Sequence, residues 1–175
     1  MSVLNWLRTK LYVGFKKLIM RNRPVCASQI LTSPEGVLIV LPTRDEELGS
    51  VARHVRGWTS GGRRTLVISS FHSASGTTIC CDSLLPFGKE FYSLKDSLHP
   101  HPIDLLVDLN ERTSDRSRMI AVLSGAPLRV ACFDDPPFFN CQVRIEKSTP
   151  GRGTELLRTL EDCFSEQCQE KTTAS

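Results

Sequence analysis

The side chains able to do chemistry gather at four places where an apolar run stops. The run Val37-Leu38-Ile39-Val40-Leu41 is followed by Pro42-Thr43-Arg44-Asp45-Glu46-Glu47, in which Asp45 is placed to act as a general base and Thr43 to bind the same ligand. Ser69 to His72 closes the next run and supplies an imidazole. Asp108-Leu109-Asn110, with Arg112 and Arg116 shortly after, offers a carboxylate, an amide and two guanidinium groups for hydroxyls and anions. Asp134-Asp135 closes the fourth. Each also has a plain structural role. Three acids in the first turn of a helix stabilise it through its dipole by about 0.3–1 kcal/mol each. Asp108 interrupts an apolar strand, so it must be hydrogen-bonded or paired, and capping the neighbouring loop would satisfy it. A loop histidine such as His72 is ordinarily solvated.

Several chemistries are disfavoured. The first turn has no glycines for close approach to phosphate, and its three carboxylates would repel one. With neither a G-x-G-x-x-G nor a Walker pattern, no nucleotide cofactor is expected. His99 and His101 have H-x-H spacing, but prolines flank them and no cluster of Cys or carboxylates joins them, so no metal is expected. No G-x-S-x-G nucleophile elbow occurs. A net charge of +3, two tryptophans and no interleaved basic and aromatic sheet face argue against nucleic acid as a partner. The cysteines number seven, an odd count at irregular spacing without a C-x-x-C pair, which suits buried thiols in a reducing, cytoplasmic compartment.

The elements that must position these groups alternate. Residues 3–20 form an amphipathic helix with Val3, Leu4, Leu7, Leu11, Phe15, Leu18 and Ile19 recurring at three- and four-residue steps. No acid precedes Glu35, whereas Arg8, Lys10, Lys16, Lys17, Arg21 and Arg23 do. A cationic helix with Trp6 at its edge suits an anionic membrane surface; packing on its own domain or on a partner is the alternative. Residues 24–35 read as a linker, separating this 1–23 helix from a domain at 36–168 and a frayed tail at 169–175.

Within that domain, Thr43 and Glu46 form a capping box for a helix carrying Leu48, Val51, Ala52 and Val55, ended by Gly57 and Gly61-Gly62. Strands are expected at 65–68, 77–81, 103–109 and 128–132, and helices at 89–98 and 114–123, the second stopped by Ser124-Gly125 and Pro127. Phe139, Cys141, Val143 and Ile145 alternate with polar residues, as in a half-exposed edge strand, expected to run antiparallel. Thr154 is expected to cap a last helix with Leu156, Leu157, Leu160, Cys163 and Phe164 inward. Strands apolar on both faces alternating with helices make an α/β fold: one Rossmann-like, doubly wound, mostly parallel sheet with an N-terminal amphipathic helix.

The order Asp108-Leu109-Asn110, Arg116-Ser117, Leu123-Ser124-Gly125-Ala126 and Arg129-Val130 resembles glycosyltransferase family 9, the heptosyltransferase-like enzymes of lipopolysaccharide assembly. Their N-terminal domain carries a D-L-(Q/H/N) strand end, an R-S-x-hydrophobic helix, S-G-A and an R-I-G strand. The resemblance implies the acceptor-holding half of a GT-B arrangement, with an aspartate of the first loop, here Asp45, as the base. The chain departs from the pattern where Arg44 and Ala131 replace glycines. After the first domain about 40 residues remain, too few for a second, donor-binding Rossmann unit. The expectation is therefore a non-catalytic binding or accessory module, cytoplasmic and peripheral at the inner membrane. Its candidate ligand residues are Thr43, His72, Asn110, Arg112 and Arg116. The alternatives are an active acceptor-binding half, with Asp45 as general base and a separate donor-domain protein as partner, or a small-molecule hydrolase or transferase using Asp45, His72 and Asn110.

Overall fold

A computed structural model describes residues 3–20, 25–32, 34–42, 48–60, 64–69, 78–80, 84–146 and 151–173. At Thr32, Leu48, Ser50, 59–60, Ser69, 78–80 and 165–173 it describes the backbone only. In chain order the elements are α1 (Val3–Ile19), α2 (Ala27–Thr32), β1 (Gly36–Val40), α3 (Leu48–Ser60), β2 (Arg64–Ser69) and β3 (Thr78–Cys80). Then follow α4 (Lys89–Leu98), β4 (Leu105–Asp108), α5 (Asp115–Ser124), β5 (Leu128–Ala131), β6 (Cys141–Gln142) and α6 (Arg152–Thr173).

The strands form one sheet in the order β3-β2-β1-β4-β5-β6, and every pairing is parallel. This is a Rossmann-like, doubly wound α/β fold. β1 and β4 are buried along their whole length because helices cover both faces. Leu38, Val40, Ile68 and Leu106 point into one core with Val13 of α1, Phe91, Leu94 and Leu98 of α4, and Met119 and Ile120 of α5. The alternate residues Val37, Ile39, Val67, Leu105 and Val107 point into the other, against Val51 and Trp58 of α3 and Leu156, Leu157, Leu160 and Phe164 of α6. The period of two in the strands divides one apolar run between two cores. Among the described residues no helix is long and apolar enough to cross a membrane.

Gly36 allows the central pair to form. A Cβ there would overlap the Pro102 carbonyl and press on Ile103 Cα. The Gly36 and Glu35 amides both donate to Asp104 Oδ2, at 3.1 and 2.9 Å, which ties the start of β1 to the start of β4.

Four expectations need correction. The half-exposed strand at 139–145 shortens to β6 and runs parallel to β5, because alternation reports faces and not direction. Its direction is set by the preceding loop, clasped beneath by Arg129. That side chain is buried, and its guanidinium donates to the carbonyls of Phe138 (2.7 Å), Ala126 (2.7 Å) and Pro137 (3.2 Å). Asn140 accepts from the Arg129 amide through Oδ1 and donates to Pro127 O, which sets the register. The stretch expected as linker contains α2, whose Ala27, Ile30 and Leu31 pack on the second core. Gly57 lies inside α3, which continues past it to Ser60. Helix α6 begins before Thr154, after Gly151 with φ of 70°, and its backbone is helical to Thr173. Helix α1 docks on its own domain, one of the readings its sequence left open, but not through its apolar stripe: Thr9 and Val13 are its buried residues. The helix is held by Lys10 Nζ to Asp115 Oδ2 at 2.8 Å and by Tyr12 edge-on to Phe91.

Candidate functional site at the sheet switch point

In an open α/β sheet, ligands bind beyond the carboxyl ends of the strands where the strand order reverses. Here β1 has β2 on one side and β4 on the other, so the reversal lies between β1 and β4. Asp108 is the last residue of β4 and pairs in register with Val40 on one side and Ala131 on the other. Its side chain shares the face of Leu106, toward α5.

Asp108 is 0% exposed. Its Oδ1 accepts from the Asn110 amide at 2.9 Å and from Asn110 Nδ2 at 2.7 Å, which folds the loop back over the strand end. The loop-capping role read from the sequence is therefore present, and it engages one oxygen. Oδ2 lacks a hydrogen bond of full geometry among the described residues, although the Ser117 hydroxyl lies close enough to lower the pKa of the carboxyl. Burial pushes the Asp108 carboxyl above the ordinary Asp value; the neighbouring Ser117 hydroxyl, the Asn110 donors and the Arg116 charge pull the other way without cancelling it. Arg116 leaves two buried guanidinium nitrogens, Nε and the Nη2 amine, equally without partners among the described residues. An acceptor oxygen at the end of β4 and two guanidinium nitrogens in the first turn of α5 are thus buried without hydrogen-bond partners among the described residues. Buried polar groups in this condition are uncommon and require an explanation.

Helix α5 presents these groups because its first turn is well built. Ser114 caps it, accepting from the Ser117 amide at 3.0 Å, and Gly125 closes it in the left-handed conformation at φ 62°. The stop read at Ser124-Gly125 is where the helix ends. Ser117 is buried beside Asp108, and the sequence reading passed over it although it stands next to Arg116 in the R-S pair. Asp135 is not available to a ligand. Arg118 grips both its oxygens, Nε at 2.8 Å and the second prong at 3.3 Å, and Thr113 donates to it as well. The signal for that clamp was an Arg two positions beyond Arg116, at a helical spacing from Asp115, to which it also bonds at 3.1 Å.

Of the residues singled out in sequence, Asn110 and Arg116 come together at Asp108. Arg112 is exposed on the loop between them and α5. Thr43, Asp45 and His72 lie outside the described residues. His99 closes α4 by donating its backbone N–H to Lys95 O, and His101 Nδ1 lies 3.4 Å from Arg64, so the H-x-H pair is not joined in one cluster; no metal-holding group occurs among the described residues. A depression of about 320 Å³ lined by Met20, Val25, Gly125 and Pro127 sits at the opposite, amino end of β5. The charged group on its wall is Arg129, already bonded to three carbonyls, so it offers a ligand little. Comparison with family models, with curated proteins and with solved structures finds no match to this chain.

Proposed function

We propose that this Rossmann-like domain is a non-catalytic binding or accessory module of the heptosyltransferase-like type. It takes a small hydroxylated anion, such as a sugar acid or sugar phosphate, at the β1–β4 switch point. The observation that carries the reading is that Asp108 Oδ2 at the end of β4 and Nε and Nη2 of Arg116 in α5 are buried without hydrogen-bond partners among the described residues. A carboxylate acceptor suits a sugar hydroxyl, and a planar guanidinium fork suits a carboxylate or phosphate. The absence of a glycine-rich turn after β1 speaks against gripping a nucleotide pyrophosphate. A donor-binding unit, if one is used, would be supplied by a partner protein. The cytoplasm is the setting we assign, since among the described residues Cys26, Cys141 and Cys163 are free thiols.

Isothermal titration of the chain with 3-deoxy-octulosonic acid, glucose 6-phosphate and UDP-glucose tests the reading. Binding of one of the first two is expected, weakened at least tenfold by Arg116→Gln, with no binding of the nucleotide sugar. Micromolar binding of UDP-glucose to the chain alone would overturn the reading. Sugar transfer abolished by Asp45→Ala would instead establish the acceptor-half alternative.

A further inference from the structure

The apolar stripe of α1 is turned away from the protein. Leu4, Leu7, Leu11, Phe15, Leu18 and Ile19 are between 46% and 83% exposed. Thr9 and Val13, buried against the domain, lie on the opposite side of the helix, and half-buried Tyr12 stands at its flank. So the domain holds α1 by its back and presents its apolar face outward along a helix about 25 Å long. An exposed apolar surface of this continuity marks an interaction site. Phe87, half exposed and at φ of 59°, extends it beside α1, where its ring meets Tyr12 edge-on and Arg8 stacks over it.

The charges identify the occupant. The helix contains no acid, and Arg8 flanks the stripe on one side with Lys17 on the other, Lys10 being paired with Asp115. A second copy packed along Leu4, Leu7, Leu11 and Leu18 would place these cations at the positions that flank a helix–helix seam, where opposite charges are needed. Across the seam α1 offers no carboxylate. A lipid surface with anionic headgroups meets both requirements, because it takes the leucines among acyl chains and the cations at the headgroups. We propose that α1 lies in the headgroup layer of an anionic membrane, stripe inward, with the Rossmann-like domain carried on its water side. This proposal is independent of the ligand assigned to the switch point.

Flotation of the full chain with vesicles tests it. Vesicles of phosphatidylglycerol and phosphatidylethanolamine should carry the protein up the gradient, and vesicles of phosphatidylcholine should not. Leu7→Asp and Leu11→Asp, both at exposed positions, should each reduce binding at least tenfold while the circular dichroism spectrum is unchanged. Lys17→Gln should weaken binding about fivefold at low salt, the effect of one cation near a charged surface. Three results would each overturn the proposal. One is failure of the wild type to float with anionic vesicles, and another is equal flotation with phosphatidylcholine. The third is light scattering showing a dimer that Leu11→Asp dissolves while flotation is untouched.

Discussion

Replacing Arg129 by Met removes the guanidinium while keeping much of the side-chain volume, and it isolates what holds the β5–β6 connection. The carbonyls of Ala126 and Phe138 would lose donors at 2.7 Å in a buried setting, and Pro137 O would lose one at 3.2 Å in a partly buried one. An unsatisfied buried acceptor costs about 1–3 kcal/mol, so the two buried carbonyls alone set a loss of about 2–6 kcal/mol. Burial pulls the Arg129 pKa down, which means the charged form is itself desolvated, and its removal returns part of that loss. The expected net destabilisation is therefore about 2–4 kcal/mol, or a fall in Tm of about 4–16 °C for a chain of this size. Equilibrium unfolding in urea measures it, provided the m-value is unchanged. Arg129→Lys, which retains a charge but a single donor nitrogen, should fall between Met and wild type. A loss below about 1 kcal/mol for Arg129→Met would refute the view that this side chain organises the loop.

Three other outcomes are expected. Gly36→Ala should destabilise by about 1–3 kcal/mol or more, because the new Cβ meets rigid backbone at Pro102 and Ile103; a Tm within error of wild type would show that β1 and β4 separate easily. Asp108 has a folded pKa raised above 3.8, so the native state binds the extra proton and the wild type loses stability as pH rises from about that value through the folded pKa. Asp108→Asn should accordingly gain on the wild type from acid toward neutral pH in urea midpoints, and a difference that stays flat with pH would contradict the burial argument. Glu161 accepts from the buried Trp58 indole at 2.8 Å and lies 2.9 Å from His54 Nδ1, joining α6 to α3. Glu161→Leu should cost about 1–3 kcal/mol and shift the Trp58 fluorescence; no change in either would remove this polar link from the list of stabilising contacts.

Much of the architecture was legible in sequence because parallel strands buried on both faces announce themselves as short continuous apolar runs. Val37 to Leu41 and Leu105 to Leu109 could hardly be anything else between helices with caps. The stop at Gly125 was equally plain, since only a residue free to adopt a left-handed conformation serves there. The site was half legible: Asp108, Asn110 and Arg116 stood out as polar groups beside an apolar strand. That Asp108 spends one oxygen on its own loop and leaves the other without a partner among the described residues depends on where α5 lies, and α5 is placed by long-range packing.

The same distinction holds for the ends of the chain. Local pattern alone determined that residues 3–19 form a helix with an apolar stripe and a surplus of cations, because that is a property of spacing and residue type. Which side of the helix the domain would claim was settled only in three dimensions. A small buried patch at Thr9 and Val13, an ion pair to Asp115 and a ring contact to Phe91 involve partners far along the sequence. Direction at β6 was decided in the same way, by the Arg129 clasp on three carbonyls. Periodicity reports which residues share a face; only contacts between distant segments decide what that face meets.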